Sequence, residues 1–211
     1  MMQITASGPV DDGKGDVAAL KAHYRDNDFA RLPGFLAPEF LREIQAELRT
    51  APFIHKVHRG IGEELVCWDS KSGDKLQFVM NDPRLFAWID KITDCGQIGC
   101  FLGRIYRMGS GKAHHDSWHS DVGEHRMVAL SVNLSEEPYN GGTLILREGG
   151  RPETERRLPN IVPGDAVMFR LDPSLEHWIS DVEPGPEKTA WAGWFRSEPT
   201  FLEVISGKKK F

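Results

Sequence analysis

The sequence has few of the residues that mark disulfide-rich or metal-knuckle proteins. It contains only three cysteines among 211 residues, Cys67, Cys95 and Cys100, and their spacing matches no zinc or redox motif. We interpret them as reduced thiols, the usual state in the cytoplasm, where we expect the protein to reside. A disulfide between Cys95 and Cys100 is the less favoured alternative.

Long apolar runs and an excess of positive charge are absent as well. No run approaches the roughly 18 apolar residues that a membrane span needs, and the first residues lack the apolar block of a secretory signal. Lysine and arginine number 26 against 31 acidic residues, for a net charge of −5. The basic cluster at 208–210 is interpreted as a solvated tail. We therefore expect neither a membrane nor a nucleic acid as partner.

The residues that are present are those of an ordinary folded domain, 40% hydrophobic and 27% charged. The length suits one structural domain. Apolar residues recur at helical spacing in 17–25, 38–49 and 82–92, which predicts three helices in the N-terminal part. Between the last two, 53–80 is predicted to form irregular strands and loops.

From residue 100 onward, short apolar segments alternate with turns rich in glycine, proline and asparagine. Eight strands are predicted, at 101–108, 117–121, 127–134, 143–147, 154–158, 166–170, 177–182 and 188–196. Side chains in 127–134 alternate clearly between apolar residues and smaller or polar ones, as in a strand with two different faces. Eight short strands at this spacing indicate a sandwich, a barrel or a jelly roll, with the helices packed outside the sheet.

A candidate metal site lies in the second predicted strand. His119 and Asp121 are two residues apart, so they project to the same side of a strand. His177, at the start of the seventh predicted strand, is the candidate third ligand. Two histidines and one carboxylate leave coordination positions open, a set that suits Fe(II). A rival pair, His114 and Asp116, directly follows a glycine-rich segment and is interpreted as loop.

Several motifs occur in an order that resembles the 2-oxoglutarate/Fe(II) dioxygenase superfamily, in particular its prolyl-hydroxylase-like branch. They are Trp-His-Ser-Asp at 118–121, the strand at 128–134, Tyr-Asn-Gly-Gly at 139–142, Pro-Gly-Asp-Ala-Val-Met-Phe at 163–169, His177, and Gly-Trp-Phe at 193–195. The resemblance implies a mainly β, α+β protein: a double-stranded β-helix, or jelly roll, with N-terminal helices packed on one sheet. We expect a supporting part at 1–99, the catalytic core at 100–197 and a C-terminal tail at 198–211, all within one structural domain.

The resemblance also implies a set of cofactors. Fe(II) would be held by His119, Asp121 and His177, and the enzyme would use 2-oxoglutarate and O₂, with ascorbate as a supporting reductant. The implied reaction is hydroxylation of an unactivated C–H bond, with oxidative decarboxylation of 2-oxoglutarate to succinate and CO₂. Asp121 argues against a halogenase, because such family members replace this carboxylate by a small residue.

The family needs a cation for the far carboxylate of 2-oxoglutarate, about ten residues past the distal histidine. Lys188 lies eleven residues past His177. Arg196 shares its face, but eight residues at about 3.3 Å each place it some 26 Å further along the strand. Because a lysine is a point charge rather than a bidentate fork, we expect a hydroxyl partner, Tyr106 or, less favoured, Thr189.

Other interpretations stay open. Asn133 is a further candidate contact for 2-oxoglutarate, although a structural hydrogen bond explains it equally well. A cupin-type jelly roll would instead act as an isomerase or as a dioxygenase without a 2-oxo acid. A non-catalytic sensor would bind 2-oxoglutarate without turnover. The substrate is a small molecule or a protein side chain, and we expect the loops at 54–76 and 109–117 to select it.

Overall fold

The strands pair into three antiparallel sheets in the computed structural model, which describes residues 1–111 and 114–208. The strands are β1 (Met2–Thr5), β2 (Gly8–Asp11), β3 (Phe29–Leu32), β4 (Ile54–His58), β5 (Gly62–Cys67), β6 (Cys100–Met108), β7 (Arg126–Asn133), β8 (Leu144–Glu148), β9 (Arg156–Leu158), β10 (Ala166–Arg170), β11 (Leu175–Ile179) and β12 (Lys188–Arg196). The helices are α1 (Val17–Asn27), α2 (Pro38–Leu48), α3 (Lys71–Val79), α4 (Pro83–Thr93) and α5 (Phe201–Ile205), with a 3₁₀ turn at Pro152–Thr154. None of the helices in these described ranges is long and apolar enough to cross a membrane.

Two of the sheets enclose one cavity. The large sheet has the order β3-β10-β7-β12-β6-β5-β4, and the small sheet has the order β11-β8-β9. Tyr106 and Ala129 reach the cavity from the large sheet, while Leu144 and His177 reach it from the small sheet. This arrangement confirms the double-stranded β-helix that the sequence predicted.

The N-terminal helices cover the outer face of the large sheet. In α2 the apolar residues recur at helical spacing, so one stripe of the helix is buried. In α4 the side chain of Asp82 accepts a hydrogen bond from the N–H of Arg84 and caps the helix. Both helices pack in the same core as Val132 and Trp191, which belong to the sheet but do not line the cavity. The helices thus hold one face of the sheet, and the other face is left to form the site.

Two predictions about local structure were wrong. The segment 53–80 contains the regular hairpin β4–β5 and helix α3, which begins where the Ser70 side chain accepts a hydrogen bond from the N–H of Gly73. The glycine and the charged residues of that helix obscure its apolar period, and packing against α2 and β6 compensates. The predicted strand 117–121 pairs with the small sheet at a single residue, His119.

Candidate active site

The three candidate metal ligands meet in the wall of the cavity although they come from distant parts of the chain. Their donor atoms in His119, Asp121 and His177 all lie within 4.8 Å of one another. One isolated antiparallel bridge aligns the two histidines, since each backbone N–H donates to the other residue's carbonyl oxygen, at 3.0 and 2.9 Å. The centroids of their rings are 4.3 Å apart. Two imidazoles and a carboxylate thus point toward the space that one ion would occupy.

The imidazole of His119 is oriented by its own loop. Its Nδ1 lies 2.7 Å from the carbonyl oxygen of Ser117 and 3.5 Å from Oδ1 of Asp116. Nδ1–H donates to that carbonyl, which leaves the lone pair of Nε2 for a cation. Asp116 is itself held, since its Oδ2 accepts a hydrogen bond from the N–H of Ile179 at 2.8 Å.

The carboxylate of Asp121 is kept ionised by its neighbours. Burial by itself would raise its pKa, but a hydrogen bond with His177 and the charges of both histidines lower the pKa to about 2. Nε1–H of Trp194 donates to Oδ2 at 3.0 Å, and Nη1 of Arg126 lies 3.5 Å from Oδ1. A carboxylate oxygen beside two imidazole nitrogens fits a divalent transition metal.

Sequence reasoning missed the role of Trp194 as a partner of Asp121. A signal was available, because Trp194 lies six residues after Lys188 and therefore on the same face of β12. The distance in sequence between Trp194 and Asp121 hid the contact.

Lys188 is the first residue of β12, and its ammonium group is buried against the cavity. Nζ donates a hydrogen bond to the carbonyl oxygen of Gly142 at 2.7 Å and lies 5.8 Å from the centroid of the Tyr106 ring. Burial lowers the pKa of Lys188 to about 8, although the charges of Asp116 and Glu64 oppose the shift. A buried ammonium bonded to a neutral carbonyl can gain from an anionic ligand.

Tyr106 lies next to Lys188 in the cavity wall and is a candidate second contact for that anion. Its hydroxyl is buried and has no hydrogen-bond partner among the described residues, and burial raises its pKa. The hydroxyl is therefore a neutral donor available to a ligand. Thr189 faces away, because its hydroxyl accepts a hydrogen bond from Nε of Arg107 on the other side of the sheet.

Asn133 does not take the position suggested for a co-substrate ligand. Its side-chain N–H donates to the carbonyl oxygen of Asn160 at 2.8 Å, and its Oδ1 accepts from the N–H of Ser135 at 2.8 Å. Its side chain is absent from the cavity lining that the described residues form. The polar groups of Asn133 thus form structural hydrogen bonds where β7 ends, which was the alternative left open by the sequence.

The rival pair does not form a second metal site within the described residues. Nδ1 of His114 accepts a hydrogen bond from the N–H of Gly109 at 2.8 Å, which turns that imidazole toward its own loop. Asp116 does line the cavity, but it serves the loop and strand contacts described above. The one group of histidine, cysteine and acidic side chains there that converges on a point is the set of His119, Asp121 and His177.

Comparison with known proteins agrees with this geometry. Residues 103–196 match the model of the 2OG-Fe(II) oxygenase superfamily. This part of the chain belongs to that superfamily. The oxygenase therefore uses iron(II) and 2-oxoglutarate, and the donor set described above fits such a cofactor. No curated protein matches the sequence.

Solved structures share the fold of the oxygenase. A Pseudomonas putida prolyl-4-hydroxylase is 20% identical with a TM-score of 0.67, over 86% of this chain and 99% of that one. An oxidoreductase of the 2OG-Fe(II) oxygenase family from Burkholderia pseudomallei is 15% identical with a TM-score of 0.68, over 95% and 98%. The epimerase SnoN from nogalamycin biosynthesis, in complex with Fe³⁺, alpha ketoglutarate and nogalamycin RO, is 14% identical with a TM-score of 0.60, over 92% of each chain.

Proposed function

We propose that the oxygenase is a hydroxylase of an unactivated C–H bond, with Fe(II) bound by His119, Asp121 and His177. Lys188 and Tyr106 would bind the far carboxylate of 2-oxoglutarate. One observation carries the proposal: three donors from separate segments converge on one point of a cavity that also holds a buried ammonium. A cupin-type protein that uses no 2-oxo acid would offer this ammonium no co-substrate carboxylate to bind.

Each residue has a defined task in this scheme. Bound iron(II) supplies the redox chemistry by which O₂ converts 2-oxoglutarate to succinate and CO₂ and oxidises the substrate. Ser117 orients His119, and Trp194 holds the carboxylate of Asp121. The ammonium of Lys188 balances the far carboxylate of the co-substrate, and the hydroxyl of Tyr106 donates a hydrogen bond to it.

The division of the chain follows the same scheme. We propose 100–197 as the catalytic core, 1–99 as its support and 198–211 as a tail. The support contributes β3, which pairs with β10 at the edge of the large sheet, and the helices that bury the outer face of that sheet. Because β3 completes the sheet, we expect the core to be unstable without the N-terminal part.

Turnover of 2-oxoglutarate tests the proposal. The purified protein should form succinate from 2-oxoglutarate in the presence of Fe(II) and ascorbate, measured by NMR. His177→Ala should abolish the reaction and weaken binding of Mn(II), measured by calorimetry. His23→Ala is the matched control, because His23 lies on α1 outside the cavity lining.

Three results would count against parts of this scheme. Succinate formation by His177→Ala at the wild-type rate would remove that residue from the iron site. Oxidation of a substrate without consumption of 2-oxoglutarate would support the cupin alternative. Tight binding of 2-oxoglutarate with no succinate from a broad substrate panel would support the sensor.

A further inference from the structure

A second charged group faces the cavity beyond the ligands and Lys188. Arg104 lies two residues before Tyr106 on β6 and therefore on the same face of the strand. Nε of Arg104 donates to Oε1 of Glu64 at 2.8 Å, and its guanidinium carbon lies 6.0 Å from the centroid of the Trp194 ring. Its two terminal nitrogens make no hydrogen bond to any residue in 1–111 or 114–208. The guanidinium therefore offers free donors to the cavity.

Glu64 fixes the direction of that guanidinium. The Glu64 side chain is buried, and its Oε1 also lies 2.8 Å from Nε2 of His58. A buried carboxylate whose Oε1 is bound by both His58 and Arg104 has little freedom to move. Only Nε of the guanidinium is used in this contact, so its terminal nitrogens keep their donors for another acceptor.

A second guanidinium lies near Trp194. The guanidinium carbon of Arg126 is 3.7 Å from the centroid of that ring, and that of Arg104 is 6.0 Å from it. Both arginines line the cavity, so an anion bound beside this ring would be attracted by two positive charges.

The two arginines at this end of the cavity differ in the groups that they meet. Arg104 pairs with Glu64, whereas Arg126 donates to the backbone carbonyl of Asp121 and lies 3.5 Å from its Oδ1. Under the proposed function Asp121 would bind iron, and Asp116 is engaged by the loop and strand contacts given above. The terminal nitrogens of Arg104 are then donors that an anionic ligand in the cavity can use.

We infer that the primary substrate of the oxygenase is a small carboxylic acid whose carboxylate is bound by Arg104, with Arg126 beside it. This inference rests on the proposed function. The fork of N–H groups in arginine matches the two oxygens of a carboxylate. The cavity measures about 310 Å³, the size of a site for a small molecule.

Binding to an inert complex tests the inference. Protein loaded with Mn(II) and N-oxalylglycine, which does not turn over, is titrated by calorimetry with the free L-amino acids and short aliphatic carboxylic acids. Each acid is compared with its uncharged primary amide. Arg104→Gln, Arg104→Lys and the control Arg107→Gln are titrated in the same way. Arg107 is a matched control because it lies on the same strand but stacks on Phe53 across the sheet.

At least one acid should bind about tenfold or more tightly than its amide, because a charge-assisted hydrogen bond is lost in the amide. Arg104→Gln should remove this preference, Arg104→Lys should keep part of it, and Arg107→Gln should keep it all. Unchanged binding of N-oxalylglycine by each variant shows that the fold and the metal site are intact.

The inference is overturned if no acid is preferred over its amide, or if Arg104→Gln binds the preferred acid as the wild type does. It is equally overturned if only an aspartate-containing peptide binds and no free acid does. Failure of the wild type to bind N-oxalylglycine would overturn the proposed function itself, and the inference with it.

Discussion

Replacing Lys188 by Met should stabilise the protein and weaken co-substrate binding at the same time. Methionine has a similar length and no charge, so it fills the same space without requiring a counter-ion. In the folded protein the ammonium is buried and bonded to the carbonyl oxygen of Gly142. The two effects have different causes, and each can be measured separately.

The stability effect follows from the lowered pKa of Lys188. Burial moves that pKa from 10.5 to about 8, which corresponds to a cost of about 3 kcal/mol for keeping the ammonium charged in the folded state. Loss of the hydrogen bond to Gly142 returns about 1 kcal/mol. The variant should therefore be more stable by about 2 kcal/mol at pH 6 to 7.

The sign of this effect depends on pH. Below about pH 8, Lys188 is protonated in both the folded and the unfolded state, so the wild type bears the whole cost. Between about pH 8 and 10.5 the folded protein loses the proton first, and the free energy of unfolding of the wild type rises relative to that of the variant. The advantage of Lys188→Met should thus disappear near pH 10. Urea unfolding at about pH 7 and about pH 10 measures the difference in stability between variant and wild type. Lys75→Met, on the exposed surface, is the control.

Co-substrate binding should change in the opposite sense. A hydrogen bond between two charged groups is worth about 1.5–3 kcal/mol, so the KM for 2-oxoglutarate should rise about 10- to 100-fold at pH 7. The KM of the wild type should also rise above about pH 8, as Lys188 loses its charge. An unchanged KM in Lys188→Met would refute the assignment of this cation. A variant that is less stable than the wild type by the same amount at both pH values would refute the burial argument.

Three further changes test individual contacts. Tyr106→Phe should raise the KM for 2-oxoglutarate about three- to tenfold without lowering the melting temperature, because its hydroxyl has no partner among the described residues; a KM like that of the wild type would remove the hydroxyl from the site. Asn133→Ala should cost about 1–3 kcal/mol in urea unfolding and leave that KM unchanged, since its amide bonds to Asn160 and not to the cavity; an altered KM with normal stability would restore it as a ligand. Gly193→Ala should cost more than about 3 kcal/mol or prevent folding, because the new Cβ would lie 1.8 Å from the carbonyl oxygen of Leu102; a melting temperature within a degree or two of the wild type would contradict this packing.

Much of the catalytic half was readable from local pattern. The strands β10 and β12 have the limits that alternation and turn residues predicted, and β6, β7 and β8 differ by one residue at one or both ends. Strands of this kind are bounded by glycine and proline, whose backbone preferences act within a few residues. The order of the motifs along the chain likewise joined His119, Asp121, His177 and Lys188 in one hypothesis.

Errors arose where contacts distant in sequence overrode the local signal. Helix α3 has a weak apolar period, and its packing on α2 and β6 compensates for it. The segment at His119 is held by one bridge to His177 instead of a strand ladder. Asn133 has a polar side chain in the expected position, but its partner Asn160 lies 27 residues away.

The sequence alone determined the fold class, the family and the three candidate ligands, because these depend on short motifs and on strand periodicity. Tertiary structure alone decided which side chains share the cavity. Trp194 on β12 meets Asp121 in a loop, and Arg104 on β6 is held by Glu64 on β5. The hydroxyl of Tyr106 is left without a partner among the described residues. Which strand lies beside which depends on the packing of the whole sheet, and no local pattern encodes that order.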